Sequence, residues 1–148
     1  MSRARRVASK ATLDIGFPSG WGEGMNNPEV NMHETASATG FDAHDKAINA
    51  ATIAISLAMR VPAPLKPIAD QVIRSASSVP ANLAEGAGRS GRDRLHHWRI
   101  AYGSAKEVDT HLRLLVGTGS INTSRAEAAI NLFDDVRAIT WRLLHPSP

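Results

Sequence analysis

The chain contains no cysteine, which removes disulfides, thiolate metal sites and thiol nucleophiles and leaves nothing that argues for an oxidising compartment. A reducing cytoplasm is the expected setting. Long apolar runs are also missing: the longest mainly apolar stretch, residues 47–59, is about thirteen residues, against the roughly 20 that a membrane-spanning helix needs. No integral membrane protein is expected. The basic start, Met1-Ser2-Arg3-Ala4-Arg5-Arg6, resembles a secretory n-region, but Asp14 interrupts the residues after it and no apolar h-region is there. Export is not expected either. Motifs of catalysis are absent as well. There is no phosphate-cradling Gly-x-x-x-x-Gly-Lys-Ser/Thr, no Gly-x-Ser-x-Gly elbow and no paired-carboxylate motif. The six histidines form no His-x-x-x-His or Glu-x-x-His pair, and the adjacent His96 and His97 would point about 100° apart on a helix. Neither a metal site nor a cofactor is expected, and the chain does not read as an enzyme.

What is present is 148 residues, 43% hydrophobic and 21% charged, the size and composition of one globular domain. The net charge is +3, and its distribution matters more than its sum. Residues 1–40 balance Arg3, Arg5, Arg6 and Lys10 against Asp14, Glu23, Glu29 and Glu34, so the surplus of 13 bases over 10 acids lies in residues 41–148. Residues 1–40 also carry Gly16, Gly20, Gly22, Gly24, Pro18 and Pro28 with no sustained period. Such a segment buries too little to offset its ordering entropy, which predicts a disordered N-terminal tail, with Phe17 and Trp21 incidental.

From Asp42 the pattern becomes helical. Phe41, Ile48 and Ile55, with Ala51 and Ala58 filling the intermediate positions of the stripe, predict a first helix ending near Arg60, before Pro62 and Pro64. Leu65, Ile68, Val72, Ala76, Val79 and Leu83 mark a second helix, stopped by Gly86 and Gly88. Pro80 lies inside it and should bend it, with Ser77 or Ser78 relieving the Ala76 carbonyl. Ser90 and Asp93 read as a capping pair for a third helix whose stripe is Leu95, Trp98, Ala101, Ala105, Val108, Leu112 and Leu115. Ser124 and Glu127 read as a capping box opening a fourth, with Ile130, Phe133, Val136, Thr140 and Leu143 facing inward. No segment reads as a strand. The expectation is an all-α fold, an up-down-up-down antiparallel four-helix bundle over residues 41–148 behind the disordered tail.

The run Gln71-Val72-Ile73-Arg74-Ser75-Ala76-Ser77-Ser78-Val79-Pro80-Ala81-Asn82-Leu83-Ala84-Glu85-Gly86-Ala87-Gly88-Arg89 closely resembles the signature of the bacterial four helix bundle protein family. That family includes proteins encoded in intervening sequences of 23S rRNA genes and accessory variability determinants of diversity-generating retroelements. Ile100-Ala101-Tyr102-Gly103-Ser104-Ala105-Lys106-Glu107-Val108 resembles its second signature. The chain departs from the usual pattern in an Ala-rich first helix and a Val61-Pro62-Ala63-Pro64 link. The resemblance implies a bundle that assembles as a ring, a pentamer, with a basic surface used for RNA, DNA or a reverse transcriptase.

Three groups of residues are candidates for function. Arg74, Ser78, Asn82 and Glu85, spaced four, four and three, form a polar line on helix two. It reads either as a solvated face, with Ser78 and Asn82 serving the proline kink, or as a seam that docks a neighbouring subunit. Glu85 without a paired acid, base or metal supplies no acid–base dyad. On helix three, Ile100, Gly103, Glu107, Thr110 and Leu114 lie roughly opposite the core stripe, where Ile and Leu point to contact with another protomer.

The third group is basic. Arg89, Arg92, Arg94 and Arg99, with His96 and His97 and only Asp93 opposing, sit at a helix start, where the macrodipole disfavours cations. Arginine forks suit phosphate oxygens, and Arg74 joins them through the resemblance. Trp98 belongs to the core stripe, whereas Tyr102 borders it and is the candidate for base stacking. The expected function is a non-catalytic, oligomeric nucleic-acid-binding accessory protein, working with RNA or DNA and with a reverse transcriptase where one is present. The alternative is a structural adaptor that binds only protein.

Overall fold

A computed structural model describes the backbone of residues 28–146 and the side chains of residues 42–146. Helix α1 spans Pro28–Ala58, a short 3-10 turn comes next at Ala63–Leu65, and α2 (Lys66–Ala87), α3 (Gly91–Gly117) and α4 (Thr123–Leu144) complete the chain. No strand occurs among the described residues. Of the expected tail, residues 1–27 lie outside the described residues, and the backbone of residues 28–40 belongs to α1. Each helix packs on its neighbours in chain order, and α1 closes the square against α4. Ser78 meeting Ser104 and Asn82 meeting His97 make α3 antiparallel to α2, and Tyr102 meeting Trp141 with Asp109 meeting Arg137 makes α4 antiparallel to α3.

The first helix buries the alanines of the expected stripe, Ala51 and Ala58, but leaves its isoleucines at the edge of the core or beyond it. Ala43, Ala47, Ala50, Ala54 and Ala58, at steps of three and four, are fully buried, whereas Ile48 is 44% exposed and Ile55 only packs against the edge of the core. The heptad of isoleucines marks a flank, because Ile48 lies about 140° around the helix from Ala43. Phe41 lies outside the described side chains. Alanine has the highest helix propensity and the smallest side chain of any helix-forming core residue, so this face lets α1 approach α2 and α4 closely. Bulk comes from the other helices: Val72 and Val79 on α2, Val108, Leu112 and Leu115 on α3, and Phe133 and Val136 on α4.

The caps correct the sequence reading in two places. Ser90 takes the N-cap position of α3 with extended backbone, but its side chain caps nothing, and Asp93 turns instead toward Arg89 and His97. At α4 the cap is Asn122, whose Oδ1 accepts from the Arg125 amide at 2.9 Å, two residues ahead of the expected Ser124. Asparagine is among the best N-cap residues, and its oxygen takes the Arg125 amide at N3, where the expected box would have used that of Glu127. Between these caps α3 ends in a complete Schellman motif. Gly119 has φ 67°, the Ser120 amide donates to Leu115 O at 3.0 Å and the Gly119 amide donates to Val116 O at 2.9 Å.

Helix α2 passes Pro80 as one unbroken α-helix. The serine expected to relieve the turn does other work, since Ser77 Oγ donates to Arg74 O at 3.0 Å. Ser78 belongs to a seam with α3.

Candidate nucleic-acid interface

The polar line of α2 meets α3 of the same chain. Ser104 Oγ donates to Ser78 Oγ at 3.0 Å, Asn82 Nδ2 donates to Ser78 O at 2.9 Å and to Ser78 Oγ at 3.1 Å, and His97 Nδ1 lies 3.1 Å from Asn82 Oδ1. These groups are half-buried, and each satisfies another. Hydrogen bonds within the subunit therefore account for Ser78 and Asn82. The chain of polar contacts continues outward from His97 to Asp93 at 3.9 Å, from Asp93 to Arg89 at 3.6 Å, and from Arg89 to Glu85, where Arg89 Nε donates to Oε1 at 2.8 Å.

The arginines fall into two sets. Arg89 is held by two carboxylates. Its hydrogen bond to Glu85 and its charge lower the Glu85 carboxyl below its ordinary value, and Glu85 raises the Arg89 guanidinium in turn, first through the hydrogen bond and then through charge. Arg94 folds back, its Nε donating to Arg89 O at 2.7 Å and its guanidinium lying 5.6 Å from the centre of the Trp98 ring. Both close the turn between α2 and α3. Arg74, Arg92 and Arg99 are exposed and make no ion pair among the described residues.

To Arg92 and Arg99 the structure adds Lys106 and Arg113, which the sequence reading did not count among the candidate cations. Arg92, Arg99, Lys106 and Arg113 succeed one another at seven-residue steps along the solvent side of α3, all exposed. A seven-residue step falls about 20° short of two full turns, so the line drifts slowly toward α4 over roughly 30 Å. Arg113 ends it in a pair with Asp109 at 2.7 Å, and Asp109 also receives Arg137 from α4 at 3.3 Å. Where the line nears α4, aromatic rings collect. Tyr102 lies 5.8 Å from Trp141, Trp141 stacks on His145 at 3.8 Å, and Lys106 Nζ is 6.0 Å from the Tyr102 ring centre. Trp141 is 51% exposed. The signal was available in the sequence, since Trp141 comes directly after Thr140 and lies off the stripe of α4. Trp98, by contrast, is buried as expected.

Ile100, Gly103, Glu107 and Leu114 share the outer surface of α3, with Ile100 38% and Leu114 51% exposed. Glu107 Oε1 lies 3.6 Å from His111 Nε2. This apolar line and the basic line are about a quarter turn apart on one helix. Among the described residues no group of three or more metal-ligating side chains comes together, and no helix is long and apolar enough to cross a membrane.

The fold and this surface define a small all-α bundle with a basic, aromatic outer helix face. The chain belongs to the 23S rRNA-intervening sequence protein family, whose model matches residues 41–142. A crystal structure from Bacteroides thetaiotaomicron, a protein with unknown function from the S23 ribosomal protein family, shares the fold with a TM-score of 0.65 at 23% identity. The match covers 72% of this chain and 97% of that one. No curated protein matches this chain.

Proposed function

We propose that the protein is a non-catalytic, homo-oligomeric accessory protein that binds the phosphate backbone of RNA or DNA. The observation that carries this reading is the row of exposed cations Arg92, Arg99 and Lys106 on α3, which pair with no carboxylate among the described residues, with Arg74 exposed on the line of α2 that faces α3. A helix surface gains nothing in stability from unpaired like charges, whereas each one that reaches a phosphate releases condensed counterions. The family name, which refers to a sequence within 23S rRNA, agrees with such a ligand. The absence of cysteine suits a cytoplasmic setting. The charge of +3 per protomer becomes about +15 in a ring of five, enough to steer a polyanion but too little to read sequence. A reverse transcriptase enters as a partner through the resemblance of residues 71–89 and 100–108.

The test is fluorescence anisotropy with labelled structured RNA and duplex DNA at two salt concentrations, for the wild type and for Arg92→Glu with Arg99→Glu. Wild-type affinity should fall steeply with salt, and charge reversal should weaken every substrate alike. Equal binding by the folded charge-reversed protein sinks the reading. The exposed Ile100 and Leu114 favour a second reading, an adaptor that binds only protein, and that reading then takes its place.

A further inference from the structure

Tyr102, Trp141 and His145 form a run of rings that crosses from α3 to the end of α4. The Trp141 indole is 51% exposed and continues into Tyr102 and His145, so it is part of a contiguous aromatic surface and not a lone exposed ring. Its setting is unlike that of an aromatic in a protein contact, because the neighbouring outward residues are cations. Lys106 lies over Tyr102, Arg99 is exposed one turn before Tyr102, and Arg142 is exposed beside Trp141. Asp109, the acid closest in sequence to Lys106 on the α4 side of α3, is taken up by Arg113 and Arg137. Flat apolar faces flanked by positive charge that no carboxylate pairs among the described residues match one chemistry, a nucleobase attached to a phosphate. In a duplex the base faces are occupied by neighbouring base pairs, so such a platform serves unpaired nucleotides.

We propose that the Tyr102–Trp141–His145 corner is a stacking site for unpaired bases, with Lys106 and Arg99 holding the adjoining phosphates, so that the protein selects single strands over duplex. This rests on the reading of α3 as a nucleic-acid surface and names the ligand that surface takes. His145 is held in the run by Nδ1 at 3.0 Å from Trp141 O, which keeps the end of the stack in register. Stacking is indifferent to base identity, so oligo(U) and oligo(dT) are both ligands, and their relative affinity reports on the 2′-hydroxyl.

The experiment uses the full chain and anisotropy of labelled oligo(U), oligo(dT) and a blunt duplex of equal length, with Trp141→Ala, Trp141→Phe and the pair Arg99→Glu with Lys106→Glu. Circular dichroism melting accompanies each variant. The wild type should prefer both single strands to the duplex. Trp141→Ala should lose roughly 5- to 150-fold on single strands and change little on duplex, Trp141→Phe should retain most of the preference, and charge reversal should weaken all three. If the wild type binds strand and duplex equally, or folded Trp141→Ala loses nothing on single strands, the stack only joins α3 to α4. The stacking proposal then fails while the basic surface stands. If the wild type binds none of the three at low salt, the reading of α3 fails and this proposal with it.

Discussion

Gly86 on α2 lies directly against the Trp98 ring of α3: a Cβ added there would stand 2.5 Å from Cδ1 and 2.6 Å from Nε1 of the indole, and 3.2 Å from Arg94 O. The missing side chain is what lets the largest ring in the core close the end of the bundle, and Arg94 then covers that ring from outside. The substitution Gly86→Ala should therefore destabilise the fold by about 1–3 kcal/mol, the usual cost of overpacking. Gly88, two residues on, has ordinary negative φ and meets nothing closer than 3.6 Å. Gly88→Ala should be neutral or stabilising by about 0.4–1 kcal/mol, because the unfolded chain loses freedom. Denaturant midpoints of the two variants check both signs at once.

The seam predicts a second stability effect. Asn82 ties the Ser78 carbonyl and hydroxyl on its own helix to His97 on α3, and Ser104 closes the group. Each such bond contributes about 0.5–1.5 kcal/mol net. Asn82→Ala should cost about 1–2 kcal/mol on the same basis, and Ser78→Ala with Asn82→Ala should cost less than the sum of the singles, since they share bonds. Additive losses in that cycle would show that the seam is not one unit.

Helix α3 was legible because its stripe is long and strictly periodic, and every buried residue of α3 from Trp98 to Leu115 is one the stripe names. Helix α1 was legible only at Ala51 and Ala58, because a period of seven and a period of three and four both run through an Ala-rich segment. Hydrophobicity favours Ile48, while packing favours Ala47 and Ala50. Spacing alone found the Ser124 box but could not weigh it against Asn122 two residues earlier, since both side chains suit a cap. In the basic cluster the sequence supplied the residues but not their engagement. Nothing in the order of Glu85, Arg89, Asp93 and Arg94 tells which cations are spent on the turn and which face water. Trp141 and Lys106 needed the fold, because they are thirty-five positions apart in the chain and meet only through Tyr102.

The Glu85–Arg89 pair gives a pH signature of known sign. The Glu85 carboxyl sits below its ordinary 4.5 in the folded protein, through the Arg89 hydrogen bond first and the Arg89 charge second, with His97 adding a little. A depressed carboxylate stabilises the fold fully above its unfolded value and loses that contribution as pH falls through the folded one. Arg89, raised above its ordinary value by the Glu85 hydrogen bond and charge, stays protonated throughout this window and adds nothing to the slope. Urea midpoints of the wild type and Glu85→Gln should differ by a constant between about pH 8 and pH 5 and converge below about pH 4.5. Because both groups are exposed to solvent, the difference should be small and should shrink with added salt. A gap that persists at low pH would mean that the Glu85 charge is not what stabilises the turn.

The outer surface of α3 carries two lines, and their separation makes oligomerisation and binding independently testable. Ile100 and Leu114 lie on one side, Arg92, Arg99 and Lys106 about a quarter turn away. A bundle of about 105 residues has a limited core, and a ring that covers the apolar line would add to what the core buries while leaving the cations outward. Mass photometry of the wild type should show a closed oligomer, a pentamer by the resemblance, and Ile100→Glu with Leu114→Glu should shift it to monomer at micromolar concentration. That monomer keeps its cations but carries +1 in place of +3, so its intrinsic affinity for a short oligonucleotide should fall only modestly, and less so as salt screens the added carboxylates. Affinity for a long strand should drop by roughly 10²–10⁴ because linked sites no longer act together. A wild-type monomer defeats the ring. An oligomer that survives both substitutions moves its interface to another surface, with the exposed Ile48 and Met59 of the α1 side next to be changed.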